Sequence, residues 1–215
     1  MILTSRQREI IIGNILGDGG VYFPKGGNNA FYYIKQCKEH KEYVQWLFEE
    51  LKSICPSAVK ERRDNKQLYF YSSPFSELTV LKYLFYSDEG KKIVPMNIQE
   101  LLTSPLSLAV WFMDDGTLDY RLKDHCAFHL CTNCFTREEG NLLVDVLKKN
   151  FGIIASVHYT LCRGKRHTRV YIGAKGRDQF IKLISPYILD CFKYKLPQHR
   201  GAPQRLVELS STDNK

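Results

Sequence analysis

At 215 residues, with 44% hydrophobic and 13% aromatic content, the chain is long enough to bury the core of one large domain or two small ones. Its 31 Lys+Arg against 23 Asp+Glu give a formal charge of +8, which favours a polyanionic partner, nucleic acid ahead of an anionic membrane surface. No stretch reaches the roughly 20 consecutive apolar residues of a membrane span, the opening Met1 to Arg8 lacks a signal-peptide layout, and seven scattered Cys predict free thiols in a reducing compartment rather than a disulfide framework.

Taken in chain order, the first half opens with an apolar helical run over 8–16, then a Gly-rich turn and a strand-like segment over 31–35. Tyr43, Leu47, Phe48 and Leu51 recur at helical spacing. Strand-like stretches over 58–62 and 67–71 flank the turn residues Asp64, Asn65 and Lys66, and a helix is expected over 74–85. The second half repeats the plan: a helix over 105–113, a turn at 114–117, a strand over 126–132 and a helix over 137–151. A strand pair over 154–161 and 168–172 then brackets a basic loop, and a last helix covers 177–184. A repeat near 100 residues predicts two similar halves about a pseudo-twofold axis, 1–97 and 98–200, followed by a polar tail over 201–215 that is expected to fray.

Aligning the opening helices brings together Ile11-Ile12-Gly13-Asn14-Ile15-Leu16-Gly17-Asp18-Gly19 and Leu108-Ala109-Val110-Trp111-Phe112-Met113-Asp114-Asp115-Gly116. Each is an apolar helix ending in Asp-Gly, and Gly13 and Gly17 share a face that permits close helix contact. Packed side by side, the helices would carry Asp18 and Asp115 to one end, where paired carboxylates need cations between them. Hard oxygen ligands of that kind suit Mg²⁺ and two-metal phosphodiester hydrolysis. One such run is usually only a helix end with a turn; two in register are not.

Both segments resemble the LAGLIDADG signature, and Trp111 to Gly116 is similar to the second motif of the monomeric, two-motif branch of that homing-endonuclease family. The second copy departs at the packing positions, with Val110, Met113 and Asp114 where the first has Gly13, Leu16 and Gly17. The resemblance extends to Lys92 and Lys195, each a few residues ahead of a Pro and 103 apart where Asp18 and Asp115 are 97 apart.

The resemblance implies an α+β fold of two αββαββα halves forming a DNA-binding saddle, with the motif helices at the central interface. It implies cleavage of both strands of a long double-stranded DNA target, 3′ overhangs and intron mobility. Metal would be held by Asp18 and Asp115, with backbone carbonyls of Gly17 and Asp114 as lesser candidates, and Lys92 and Lys195 would stabilise charge at the edge of the site. Mg²⁺ is the expected cofactor, with Mn²⁺ able to substitute and Ca²⁺ binding without cleavage. The implied protein is an intracellular monomer of an organelle or microbial cytoplasm, with no membrane partner.

A two-stranded ribbon fits the major groove, and strand parity selects the side chains that face it. The expected DNA-facing set is Tyr33, Lys35, Lys60, Arg62, Gln67, Tyr69 and Tyr71 in the first half. In the second it is His129, Asn133, His158, Thr160, Arg169 and Tyr171. The opposite parity, Tyr159 included, is expected to face the core. The loop residues Arg163, Lys165 and Arg166, with Lys25 and Asn28 in the Gly-rich loop, are expected to grip phosphates. A zinc reading of Cys131 and Cys134 with His125 and His129 lacks a second ligand pair at finger spacing. Two rivals stay open: an RNA maturase acting on group I intron RNA, and a DNA-binding regulator without catalysis.

Overall fold

The computed structural model describes residues 1–121, 125–162 and 164–197, so the expected phosphate contact Arg163 and the 201–215 tail lie outside the described residues. The first half runs α1 (Ser5–Leu16), β1 (Gly20–Tyr22), β2 (Phe31–Gln36), α2 (Lys41–Leu51), β3 (Lys60–Glu61), β4 (Leu68–Tyr71) and α3 (Ser76–Phe85). A short α4 (Ile98–Leu101) leads into the second half: α5 (Pro105–Asp115), β5 (Gly116–Arg121), β6 (His125–Cys131), α6 (Arg137–Phe151), β7 (Ser156–Cys162), β8 (Lys165–Ile172) and α7 (Ala174–Ile184). Both halves are therefore αββαββα, and each builds a four-stranded antiparallel sheet, in the orders β1-β2-β4-β3 and β5-β6-β8-β7.

Local chemistry sets the ends of the elements. Thr4 and Gln7 close a capping box on α1, Thr136 and Glu139 close one on α6, and Ser104 with Pro105 starts α5. Gly152 ends α6 in the left-handed region at φ 67°.

Strand parity then builds the core. Tyr32, Ile34, Leu68 and Phe70 are buried on the inner face of the first sheet, as are Phe128, Leu130, Val170 and Ile172 on the second. Each such side chain contributes roughly 1.5–3 kcal/mol by leaving water. Between the sheets' helical layers, α1 packs directly on α5, and both are buried on nearly every side. A Cβ at Gly13 would clash with the Ser107 carbonyl oxygen and lie 2.8 Å from Val110 Cβ. The two backbones touch there.

The elements differ from the sequence reading in four places. β1 and β5 replace what read as turns after the two motifs, and α5 continues through Asp115 rather than stopping at Met113. β8 begins at Lys165, so Lys165, Arg166 and His167 are strand residues, and the hairpin turns tightly at Gly164, whose φ is 75°. Tyr159 is 45% exposed instead of buried. Tyr159 packs instead under Arg137, at the start of α6, and Arg166, whose guanidinium carbons sit 5.5 and 5.1 Å from its ring centre.

Candidate active site

The backbone contact between α1 and α5 brings their C-terminal ends together, and four ionisable groups from the two halves gather there. Asp18 lies one residue beyond the Gly17 cap of α1, while Asp115 is the last residue of α5. Asp18 Oδ2 accepts a 2.7 Å hydrogen bond from Gln36 Nε2 on β2, and His40 Nδ1 approaches Gln36 Oε1 at 3.4 Å. The Asp115 carboxyl has no hydrogen-bond donor among the described residues. It opens instead on a cleft of about 380 Å³, lined by Asp114, Asp115, Thr117, Cys131, Tyr194 and Lys195 among others.

Burial, with the Asp18 charge second, pushes the Asp115 carboxyl up to about 7, although Lys92 and Lys195 pull the other way. Both lysines are themselves lowered, chiefly by burial, against the raising influence of the carboxylates. Their ammonium groups point at backbone oxygens. Lys92 Nζ donates to Gly17 O at 2.6 Å, and Lys195 Nζ donates to Met113 O at 2.7 Å. The two contacts are related by the pseudo-symmetry but offset by one residue, because Gly17 aligns with Asp114. The Gly17 carbonyl, expected as a metal ligand, is thus occupied by Lys92.

Asp114, expected as a backbone ligand, also brings its side chain to the junction of the halves. Its side chain turns into the first half, where Asn14 and Tyr43 both donate to it at 2.7 Å. Burial first, and then Asp18, raise it to about 8 against those two donors.

A cation fits this donor set. Among the described residues no ammonium or guanidinium is hydrogen-bonded to either carboxylate, and the burial and the Asp18 charge that raise Asp115 are relieved by a positive charge beside them. Among the described residues there is no group of three or more His, Cys, Asp or Glu arranged to hold a metal by itself, so phosphate oxygens or water must complete any coordination shell, as suits Mg²⁺. Cys37, Cys55, Cys126, Cys131, Cys134 and Cys191 are free thiols.

The expected groove-facing residues fall on the outer faces of the sheets. Tyr33 and Lys35 on β2 register against Tyr71 and Tyr69 on β4, and Lys60 on β3 against Tyr69. Arg62 and Gln67 sit in the β3–β4 turn, where Arg62 is engaged by Asp64 at 2.7 Å. Lys25 and Asn28 are exposed in the loop before β2. On the second sheet, His129 registers with Tyr171, and His158 and Cys131 with Arg169. Thr160 pairs with His167, Asn133 follows β6, and Lys165 and Arg166 are exposed at the hairpin end.

Sequence reasoning missed three residues here. Gln36 continues the buried parity of Tyr32 and Ile34, and Asn14 interrupts an apolar helix; a polar side chain on a buried face requires a partner, and that requirement was the available signal. Asp119 on β5, 3.1 Å from His125 and 3.9 Å from His129, had no signal because β5 itself was not recognised.

Residues 8–180 match the profile of the LAGLIDADG DNA endonuclease family. The chain is 29% identical over 212 residues to the DNA endonuclease I-ChuI of Chlamydomonas applanata, covering 91% of this chain and 96% of that one. It is 32% identical over 203 residues to the probable intron-encoded endonuclease 1 of Wickerhamomyces canadensis, covering 90% and 85%. Among solved structures, the homing endonuclease I-WcaI bound to its DNA recognition sequence superposes with a TM-score of 0.78 at 27% identity, over 91% of this chain and 88% of that one.

Proposed function

Because the chain belongs to the LAGLIDADG DNA endonuclease family, we propose that it is a monomeric, site-specific homing endonuclease that hydrolyses both strands of a long duplex with divalent metal held by Asp18 and Asp115. Cuts with 3′ overhangs, promotion of intron mobility and residence in a reducing organelle or microbial cytoplasm go with this reading. The observation that carries it is the pair of carboxylates brought from two halves to the adjoining ends of packed helices, with half-buried Lys92 and buried Lys195 beside them beneath two polar sheet faces.

When bound, Mg²⁺ supplies a Lewis acid for the scissile phosphates and acidifies the attacking water. This chain supplies the rest. Gln36 keeps the Asp18 carboxylate aimed into the centre. Half-buried Lys92 and buried Lys195, beside both carboxylates, offer positive charge where negative charge grows on the phosphate. The outer sheet faces read base edges in the major groove, while Lys165 and Arg166 grip phosphate. On that outer face His129 Nδ1 and Arg169 Nε are buried without a hydrogen-bond partner among the described residues.

The test is selection of cleaved duplexes from a randomised DNA pool with Mg²⁺, beside Asp18→Asn and Asp115→Asn. One long recovered motif with short 3′ overhangs, lost in either variant, is the expected result. Sequence-selective binding without cutting would overturn it in favour of the regulator or the maturase, which an intron-splicing assay separates.

A further inference from the structure

The two halves are alike in plan but unlike at the ends of their motif helices. Where α5 carries Asp114, α1 carries Gly17, and a Cβ at Gly17 would lie 2.5 Å from Asp114 Cβ. The Asp114 side chain fills the space that glycine leaves. Its Oδ2 accepts from Asn14 Nδ2 at 2.7 Å and from the backbone N–H of Asp18 at 3.2 Å, and its Oδ1 accepts from the Tyr43 hydroxyl at 2.7 Å. All three donors belong to the first half. Tyr32 backs them by donating to Asn14 Oδ1 at 2.5 Å.

Asp18 is therefore fixed twice, through its backbone by Asp114 and through its carboxylate by Gln36. Asp115 is held through its backbone as the last residue of α5, but among the described residues its carboxylate has no hydrogen-bond partner. The residue aligned with Asp114 is Gly17, which has no side chain. Since Gly20 registers with Tyr33 and Thr117 with His129, the residue aligned with Gln36 is Thr132, which bonds to Thr168 instead.

We propose that Asp114 is a positioning residue: its side chain, reaching across the boundary between halves, locks Asp18 in place, so that one arm of the metal centre is rigid and the other adjustable and the two strand cuts proceed at unequal rates. A pre-ordered ligand loses less freedom when a cation binds, and residues that hold ligands commonly tune affinity as the ligands do. The proposal rests on the endonuclease reading for its strand-cutting part but not for its metal-binding part.

Three variants separate position from charge. Asp114→Asn keeps an acceptor of the same shape without the charge, Asp114→Ala removes both, and Tyr43→Phe removes one donor to Asp114. Each is measured by terbium luminescence titration of the protein alone, Tb³⁺ standing for a hard cation, and by strand-resolved cleavage of the end-labelled target with Mg²⁺. The expected result is a loss of about 10–100-fold in terbium affinity for Asp114→Ala, with most of it recovered in Asp114→Asn. One strand should slow about tenfold more than the other, so that nicked duplex accumulates. Tyr43→Phe, which also removes the acceptor of a 2.9 Å bond from Asn14, should fall between and remain folded, and it carries both readouts if Asp114→Ala does not fold. Unchanged terbium affinity with both strands slowed equally would overturn the proposal and leave Asp114 a packing residue. Equal terbium losses in Asp114→Ala and Asp114→Asn would also overturn it, since charge alone would then account for the effect. A parent protein that binds terbium but cuts nothing would fail the endonuclease reading, while the affinity series would still decide the role of Asp114.

Discussion

Replacing Gly13 by alanine should force the two motif helices apart. The new methyl would lie 2.8 Å from Val110 Cβ and collide with the backbone oxygen of Ser107, a group with no rotamer through which to retreat. Overpacking of this kind costs about 1–3 kcal/mol, and a backbone collision belongs at the upper end. Against that, alanine gains about 1 kcal/mol over glycine inside a helix. The net loss is about 2 kcal/mol, or about 4–8 °C in melting temperature for a chain of this size. Gly140 in α6 provides the comparison, because its nearest neighbours are the Val157 methyls, the closer at 3.2 Å, which can give. Gly140→Ala should leave stability unchanged or raise it. Thermal melts of both variants without metal, followed by calcium titration, make the assay. A Gly13→Ala protein as stable as its parent would refute backbone-to-backbone packing at this point, and with it the explanation of how the carboxylates meet.

In the metal-free protein, burial raises Asp115 and Asp114 to about 7 and about 8, above the 3.8 of a free carboxyl, so the stability tied to their neutral forms is full below 3.8 and is lost progressively as pH rises from there through about 7 and about 8. Melting temperature without metal should fall across that window and recover when Mg²⁺ is added; a pH-independent melt would contradict the burial of these groups. Gln36→Leu frees the Asp18 carboxylate and should weaken calcium binding by about 10–100-fold with little change in the melt, as read by calorimetry. Substituting Lys165 and Arg166 together by alanine should lower the slope of log affinity against log salt by up to about 2 while the recovered target sequence stays the same. A changed sequence preference would show that these residues read bases.

The fold was legible where periodicity is strong. Leu142, Leu143, Val146 and Leu147 mark α6 from the sequence, and the twin Asp-Gly endings mark the repeat. β1 was not legible because three residues after a glycine turn carry no period. β5 begins at Gly116, which read as a turn, and its middle residues are half-buried on both faces, so alternation is absent. Lys165, Arg166 and His167 read as loop because this end of β8 is exposed or half-exposed at every residue, with no buried side to alternate with.

In the site, the two aspartates could be found because one local motif ends on each. The lysines could be aligned with them, but not their targets, since Lys92 reaches Gly17 and Lys195 reaches Met113 along paths set by separate segments. Asp114 stands next to a motif residue, yet its partners Asn14 and Tyr43 are 100 and 71 positions away in sequence. No local pattern carries such a pairing.

The packing of α1 on α5 also sets a timetable for synthesis. Ile10, Ile11, Ile12, Ile15 and Leu16 are all buried in the finished protein, much of that against a helix encoded about a hundred residues later. At ribosomal rates of roughly 5–20 residues per second, the newborn first half waits about 5–20 s with this surface uncovered. During that interval the same glycine-faced helix can meet its equivalent on a neighbouring nascent chain, so crowded polysomes and a shortage of chaperones should reduce the yield of active protein more than they alter its final stability.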